Sequence, residues 1–151
     1  MADEQEVVFN LEKIYLKDVS FEAPNAPSVF LIGETPAVDV NLSTQSQPVE
    51  SMDGFVETVL TVGVSAKLNE RTFFMVEVQQ AGLFRIQNVP DAHMAGLLGV
   101  HCPNILFPYA REAIADLIGK GGFQPLHLNP INFEALFQAS MADQEAQANP
   151  Q

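Results

Sequence analysis

The chain has 151 residues, enough for one domain with its own core and short enough that assembly would help to complete it. Seven Lys and Arg stand against nineteen Asp and Glu, a formal net charge of -12, so phosphate backbones and anionic lipid headgroups are repelled. Nucleic acid and direct membrane insertion are therefore not expected, whereas a basic protein or an unfolded chain carrying positive charge is attracted over a Debye length of about 8 to 10 Å.

Residues 1–6 and 143–151 are acidic, polar or amide-rich and read as mobile tails around a single domain. The start Ala2-Asp3-Glu4-Gln5-Glu6 is acidic where a secretory signal is basic, and no apolar run approaches the roughly 20 residues of a membrane helix. A single Cys102 cannot form an intrachain disulfide. Together these point to a soluble cytoplasmic protein.

The first strand is expected over Leu11 to Phe21. In the second, Val38, Val40 and Leu42 alternate with Asp39, Asn41 and Ser43. In the third, Val56, Leu60, Val62, Val64, Ala66 and Leu68 share one parity, the period of a strand with one buried face. Asn69-Glu70 is a tight hairpin linking it to a fourth strand, Thr72 to Gln80, antiparallel to it. After Gly82 the period changes, and Pro90 and Pro103 punctuate a helical region. Ala110, Ala113, Ile114, Leu117 and Ile118 form the apolar stripe of a helix stopped by Gly119, Gly121 and Gly122, with Pro108 giving an irregular start. Phe123 to Ile131 reads as an extended crossover. Asn132 then caps a last helix whose stripe is Phe133, Leu136, Phe137, Ser140 and Met141. Four strands followed by helices make an α+β domain, an antiparallel sheet packed with C-terminal helices.

Enzymatic chemistry has little to start from. Cys102 lies beside His101, but sequence neighbours on a helix point apart, and a free cysteine usually behaves as a small buried hydrophobe. A small hydrolase or redox protein using this pair is the competing class, distinguished by fast thiol alkylation. One Cys and three His without paired spacing make no metal site. Gly119-Lys120-Gly121-Gly122 lacks the upstream glycine and following Ser or Thr of a phosphate loop, so no nucleotide and no other cofactor is expected.

Two surfaces remain. Asp18, Glu22, Asp39, Glu57 and Glu77 fall on one side of the sheet, which composition alone would make an ordinary solvated face. Val38, Val40, Leu42, Leu126, Leu128, Ile131, Phe133, Leu136 and Phe137 are apolar residues of the second strand, the crossover and the last helix. They close a core or line a groove beneath a loosely held flap. Val76, Val78 and Gln80 face away from Glu77, which by itself assigns them to the core.

Three uninterrupted strings are more specific than any of these patterns: Lys17-Asp18-Val19-Ser20-Phe21-Glu22-Ala23-Pro24-Asn25-Ala26-Pro27, Glu77-Val78-Gln79-Gln80-Ala81-Gly82-Leu83-Phe84, and His101-Cys102-Pro103-Asn104-Ile105-Leu106-Phe107-Pro108-Tyr109-Ala110-Arg111-Glu112. In order and separation they resemble the SecB family of protein-export chaperones over nearly the whole chain. The resemblance implies a homotetramer, a dimer of dimers, that holds unfolded precursor proteins in apolar grooves without ATP and delivers them to the translocation ATPase SecA. It implies that Asp18, Glu22, Met75 and Glu77 dock SecA, with Met75 replacing another apolar residue of similar volume. It also makes the nine apolar residues above groove candidates, and Val76, Val78 and Gln80 candidates for the subunit contact. A SecB-like chaperone dedicated to a toxin and antitoxin pair is the alternative.

Overall fold

Strands form where the alternation runs. β1 (Val8–Glu22), β2 (Ala37–Pro48), β3 (Phe55–Leu68) and β4 (Arg71–Gln87) pair antiparallel in the spatial order β1-β4-β3-β2; the computed structural model describes residues 6–148. On β3 the inward residues Thr58, Leu60, Val62, Val64 and Ala66 are buried, as the period of two requires. The hairpin is as short as expected: Leu68 pairs with Arg71, and Asn69 takes the left-handed conformation (φ 57°) that asparagine tolerates better than most residues.

β4 corrects the expected boundary. It does not end near Gly82 but runs to Gln87, with Phe84 and Ile86 buried inward and paired to Leu11 and Phe9 of β1. Gly82 is there for space: a Cβ would lie 2.7 Å from Phe84 Cε2 and 3.0 Å from Leu106 Cδ2. The strand stops at Asn88, also left-handed (φ 62°), whose side-chain amide donates to the Glu6 carbonyl at 2.8 Å.

The connection from β1 to β2 must pass from one edge of the sheet to the other. Asn25 Nδ2 anchors it by donating to the Thr72 carbonyl at 2.9 Å, and Val29 in the short 3-10 turn Ser28–Leu31 is buried in the core.

α1 (Asp91–Gly96), a wide π-turn (Leu97–His101) and α2 (Cys102–Lys120) are continuous. The expected irregularity therefore falls about two to three turns before Pro108. Pro103, in the first turn of α2, has no N–H to give and its ring crowds the carbonyl four residues back, inside the π-turn. Pro108 sits within α2 on an exposed side, where water can satisfy the carbonyl it leaves free. The predicted stripe is real: Ala110, Ala113, Ile114 and Ile118 are buried and Leu117 half-buried, α2 lying across β4 and β3. Gly121 ends it and Gly122 (φ 89°) turns the chain back.

Residues 123–132 are extended, as expected, and Asn132 caps the last helix, its Oδ1 accepting from the Ala135 N–H at 3.0 Å. That helix, α3 (Phe133–Ala148), continues through residues 143–148, which composition assigned to a tail. Residues 1–5 and 149–151 lie outside the described residues.

Replacing Gly82 with alanine should cost about 1–3 kcal/mol, since the new methyl overlaps Phe84 and Leu106 in a packed core. A thermal melt equal to wild type would show that this core has slack.

Candidate functional site

One face of the sheet is covered and the other is bare. On the bare face the register brings the docking candidates into adjacent rows: Glu22 pairs with Met75, Ser20 with Glu77, and Asp18 with Gln79. Met75 pairs on its other side with Ser65, itself paired with Asp39, so Glu22, Met75, Ser65 and Asp39 form one row across all four strands. Asp18, Glu22, Glu77 and Asp39 are exposed, and Met75 keeps 40 % of its surface among them. Among the described residues none of these four carboxylates makes a salt bridge.

Glu57, the fifth acid of this face, behaves differently. Its Oε1 accepts from Lys17 Nζ at 2.7 Å and its Oε2 from the Tyr15 hydroxyl at 2.5 Å. Tyr15 is on β1 and Glu57 on β3, so this bond crosses β4; it does so beside Ala81, fully buried under the crossing. The Lys17 and Tyr15 donors hold the Glu57 carboxyl below the usual glutamate range. Burial, then the adjacent carboxylate, push the Tyr15 hydroxyl up to about 12.

The nine groove candidates do not gather into one site. Leu128 and Phe133 are 8 % and 4 % exposed and belong to the core; Phe133 meets Phe107 edge-on with ring centroids 5.8 Å apart. Leu42, Leu126 and Ile131 are half-buried against that core. Val38 and Val40, on the helix-covered side of edge strand β2, remain about half exposed, and so does Leu136 on α3. Phe137 wedges over Gly99, where a Cβ would lie 2.7 Å from Phe137 Cδ2. Phe137 also lines a cavity of about 670 Å³ with Val7, Phe9, Leu97, Val100 and Met141. Sequence reasoning missed that cavity because its walls come from β1, α1, the π-turn and α3; the apolar Val7-Val8-Phe9 after an acidic start was the only local signal.

Val76, Val78 and Gln80, at 2 %, 0 % and 4 % exposure, lie within this chain's own core. Exposed apolar residues are found on β1: Leu11, Leu16 and Val19, 38–48 % exposed along an edge strand.

The enzyme alternative loses its nucleophile. Cys102 is fully buried, its thiol pushed by burial up to about 11, while His101 is exposed. Gly119-Lys120-Gly121-Gly122 stands at the carbonyl end of α2, opposite to the end that cradles phosphate, and Lys120 pairs with Asp116. Among the described residues no three His, Cys, Asp or Glu side chains are placed to hold a metal, and no helix is long and apolar enough to cross a membrane.

A one-sided sheet with an acidic outer face and exposed apolar surface on its helical side defines a binding protein. Residues 2–144 match the SecB family, described as preprotein translocase subunit SecB. Relatives named protein-export protein SecB include that of Acidithiobacillus ferrooxidans, 62 % identical over 95 % of this chain and 96 % of its own. That of Neisseria gonorrhoeae is 50 % identical over 98 % of each. The fold is similar to a SecB-like chaperone of Mycobacterium tuberculosis, solved with a peptide from the HigA1 antitoxin, at a TM-score of 0.69 and 15 % identity over 82 % of this chain and 91 % of that one. The chain belongs to the SecB family.

In a Tyr109→Phe background, leaving Tyr15 as the sole tyrosine, the phenolate should form near pH 12, and Glu57→Gln should bring the midpoint back toward the ordinary value. Ultraviolet titration measures it; a wild-type midpoint near 10 would mean that the Tyr15–Glu57 bond does not persist in solution.

Proposed function

We propose that this chain is an ATP-independent holdase of protein export. It captures newly made precursors in an unfolded, translocation-competent state in the cytoplasm and hands them to SecA. Family membership over nearly the full chain carries the reading, and the convergence of Asp18, Glu22, Met75 and Glu77 on one exposed patch supports it. Four uncompensated carboxylates, with Asp39 counted, around an apolar methionine suit a basic partner with an apolar contact of its own.

Client binding falls to the helical side. Val38, Val40 and Leu136 offer separate exposed apolar footholds, and the cavity under α3 adds a fourth. Several weak sites engaged by one unfolded chain raise avidity by about 10² to 10⁴ without nucleotide. Catalysis has no part in this cycle; release requires SecA to supply competing contacts.

Assembly into a tetramer, a dimer of dimers, multiplies those footholds. The strip of Leu11, Leu16 and Val19 on the unpaired edge of β1 is the subunit contact that fits best, replacing Val76, Val78 and Gln80. Relatives at 48–62 % identity that are named for protein export favour this reading over a chaperone dedicated to a toxin and antitoxin pair.

Asp18→Lys with Glu77→Lys should weaken SecA binding at least tenfold by calorimetry while the protein still blocks refolding of a secretory precursor without ATP. Unchanged SecA affinity would refute the docking face, and no block by the wild type would refute the holdase. Leu16→Glu with Val19→Glu should lower the mass seen by light scattering; a persistent tetramer would place the contact elsewhere.

A further inference from the structure

Successive residues of a regular strand point to opposite faces, so Lys17 and Asp18 should not share one. They do, because a bulge lies between Leu16 and Asp18: Leu16 pairs with Gln80, Asp18 with Gln79, and Lys17 is the extra residue. The bulge puts a lysine next to the docking carboxylates, where a flexible ammonium could neutralise Asp18 itself or reach toward Glu77 one row on. Its ammonium instead turns the other way, to Glu57 at 2.7 Å.

Glu57 is built for that hold. Its side chain is only 15 % exposed and both carboxylate oxygens are engaged, one by Lys17 and one by Tyr15. Tyr15 is itself fixed, its carbonyl accepting from Gln80 Nε2 at 3.1 Å, and Ala81 is small enough for the Tyr15 to Glu57 link to pass over β4. An ion pair with its lysine in solvent adds little to stability, so the consequence of this clamp lies in where it leaves the charges.

We infer that Glu57 is a positioning residue for the docking face: by holding the Lys17 ammonium it keeps Asp18 and Glu77 uncompensated for a basic partner. This rests on the SecA-docking reading. Tyr15 serves the same end by fixing the carboxylate that does the holding. Lys13 and Arg85 pair with residues toward one end of the face and Lys67, paired with Ala37 and Thr72, lies at the other, leaving Lys17 as the cation whose register falls beside Asp18.

The experiment is calorimetric titration of SecA at low salt onto wild type, Glu57→Gln, Lys17→Gln, the double variant, and Glu112→Gln as an equal charge change on α2. Glu57→Gln should bind about three- to tenfold more weakly, because it frees a unit charge within a few ångströms of the docking carboxylates. The double variant, with no lysine to free, should return to within about twofold of wild type, as should Glu112→Gln. Lys17→Gln, which leaves Glu57 and Tyr15 intact, should bind as well as wild type or better. Equal binding by Glu57→Gln overturns the inference, and so does a double variant as weak as Glu57→Gln, or weakening by Lys17→Gln alone. Wild type that fails to bind SecA refutes the docking reading and this inference with it, whereas normal wild-type binding with an unaffected Glu57→Gln refutes this inference alone.

Discussion

The rest of the molecule depends on a sheet buried from one side only. β4 pairs with both β1 and β3, and the inward rows of β3 and β4 are closed by the apolar stripe of α2. That burial fixes register, because a slip of one residue would turn Leu60, Val62 and Val64 to water and bring Glu57, Thr61 and Ser65 inside. Once register is fixed, the outer face follows without further packing. Acids on the four strands reach neighbouring rows because the residues opposite them are the ones the core requires.

A single layer of helix cannot cover four strands. α2 lies over β4 and β3 and leaves the inward faces of the two edge strands partly bare, which is why Val38 and Val40 on one edge and Leu16 and Val19 on the other keep so much apolar surface. For a monomer this surface is a liability, and for a chaperone it is the working material. On the proposed reading the two faces have separable duties, electrostatic on one side and hydrophobic on the other. Cys102 has neither duty; it fills a gap beneath the helix start, close to Thr58.

Features encoded by local periodicity are legible in the sequence itself. The parity of Val56 to Leu68, the turn at Asn69-Glu70, the α2 stripe and the Asn132 cap each rest on residues within a few positions of one another. The same parity sorts all five acids onto one face. The misses share a cause: each depends on what a distant segment does. Gly82 reads as a stop because glycine usually punctuates, yet it makes room for Leu106, which lies 24 positions away (106 minus 82). The alternation of Phe84 and Ile86 with Arg85 and Gln87 is present but short. Leu128 and Phe133 read as groove because nothing local reveals that Phe107 waits to receive the Phe133 ring. The bulges of β1 and the cavity under α3 exist only once strands and helices have met.

The bulges of β1 also bear on a hazard peculiar to a protein that handles unfolded chains. A long, straight, unpaired edge invites any extended peptide to add itself as another strand, and a chaperone surrounded by such peptides would become the seed of an aggregate. β1 interrupts its ladder twice, at Glu12 and at Lys17, both charged. An extended peptide with regular spacing falls out of step with such a strand within a few residues. Two extra residues thus keep an exposed edge from offering the long, regular template that an extended polypeptide needs.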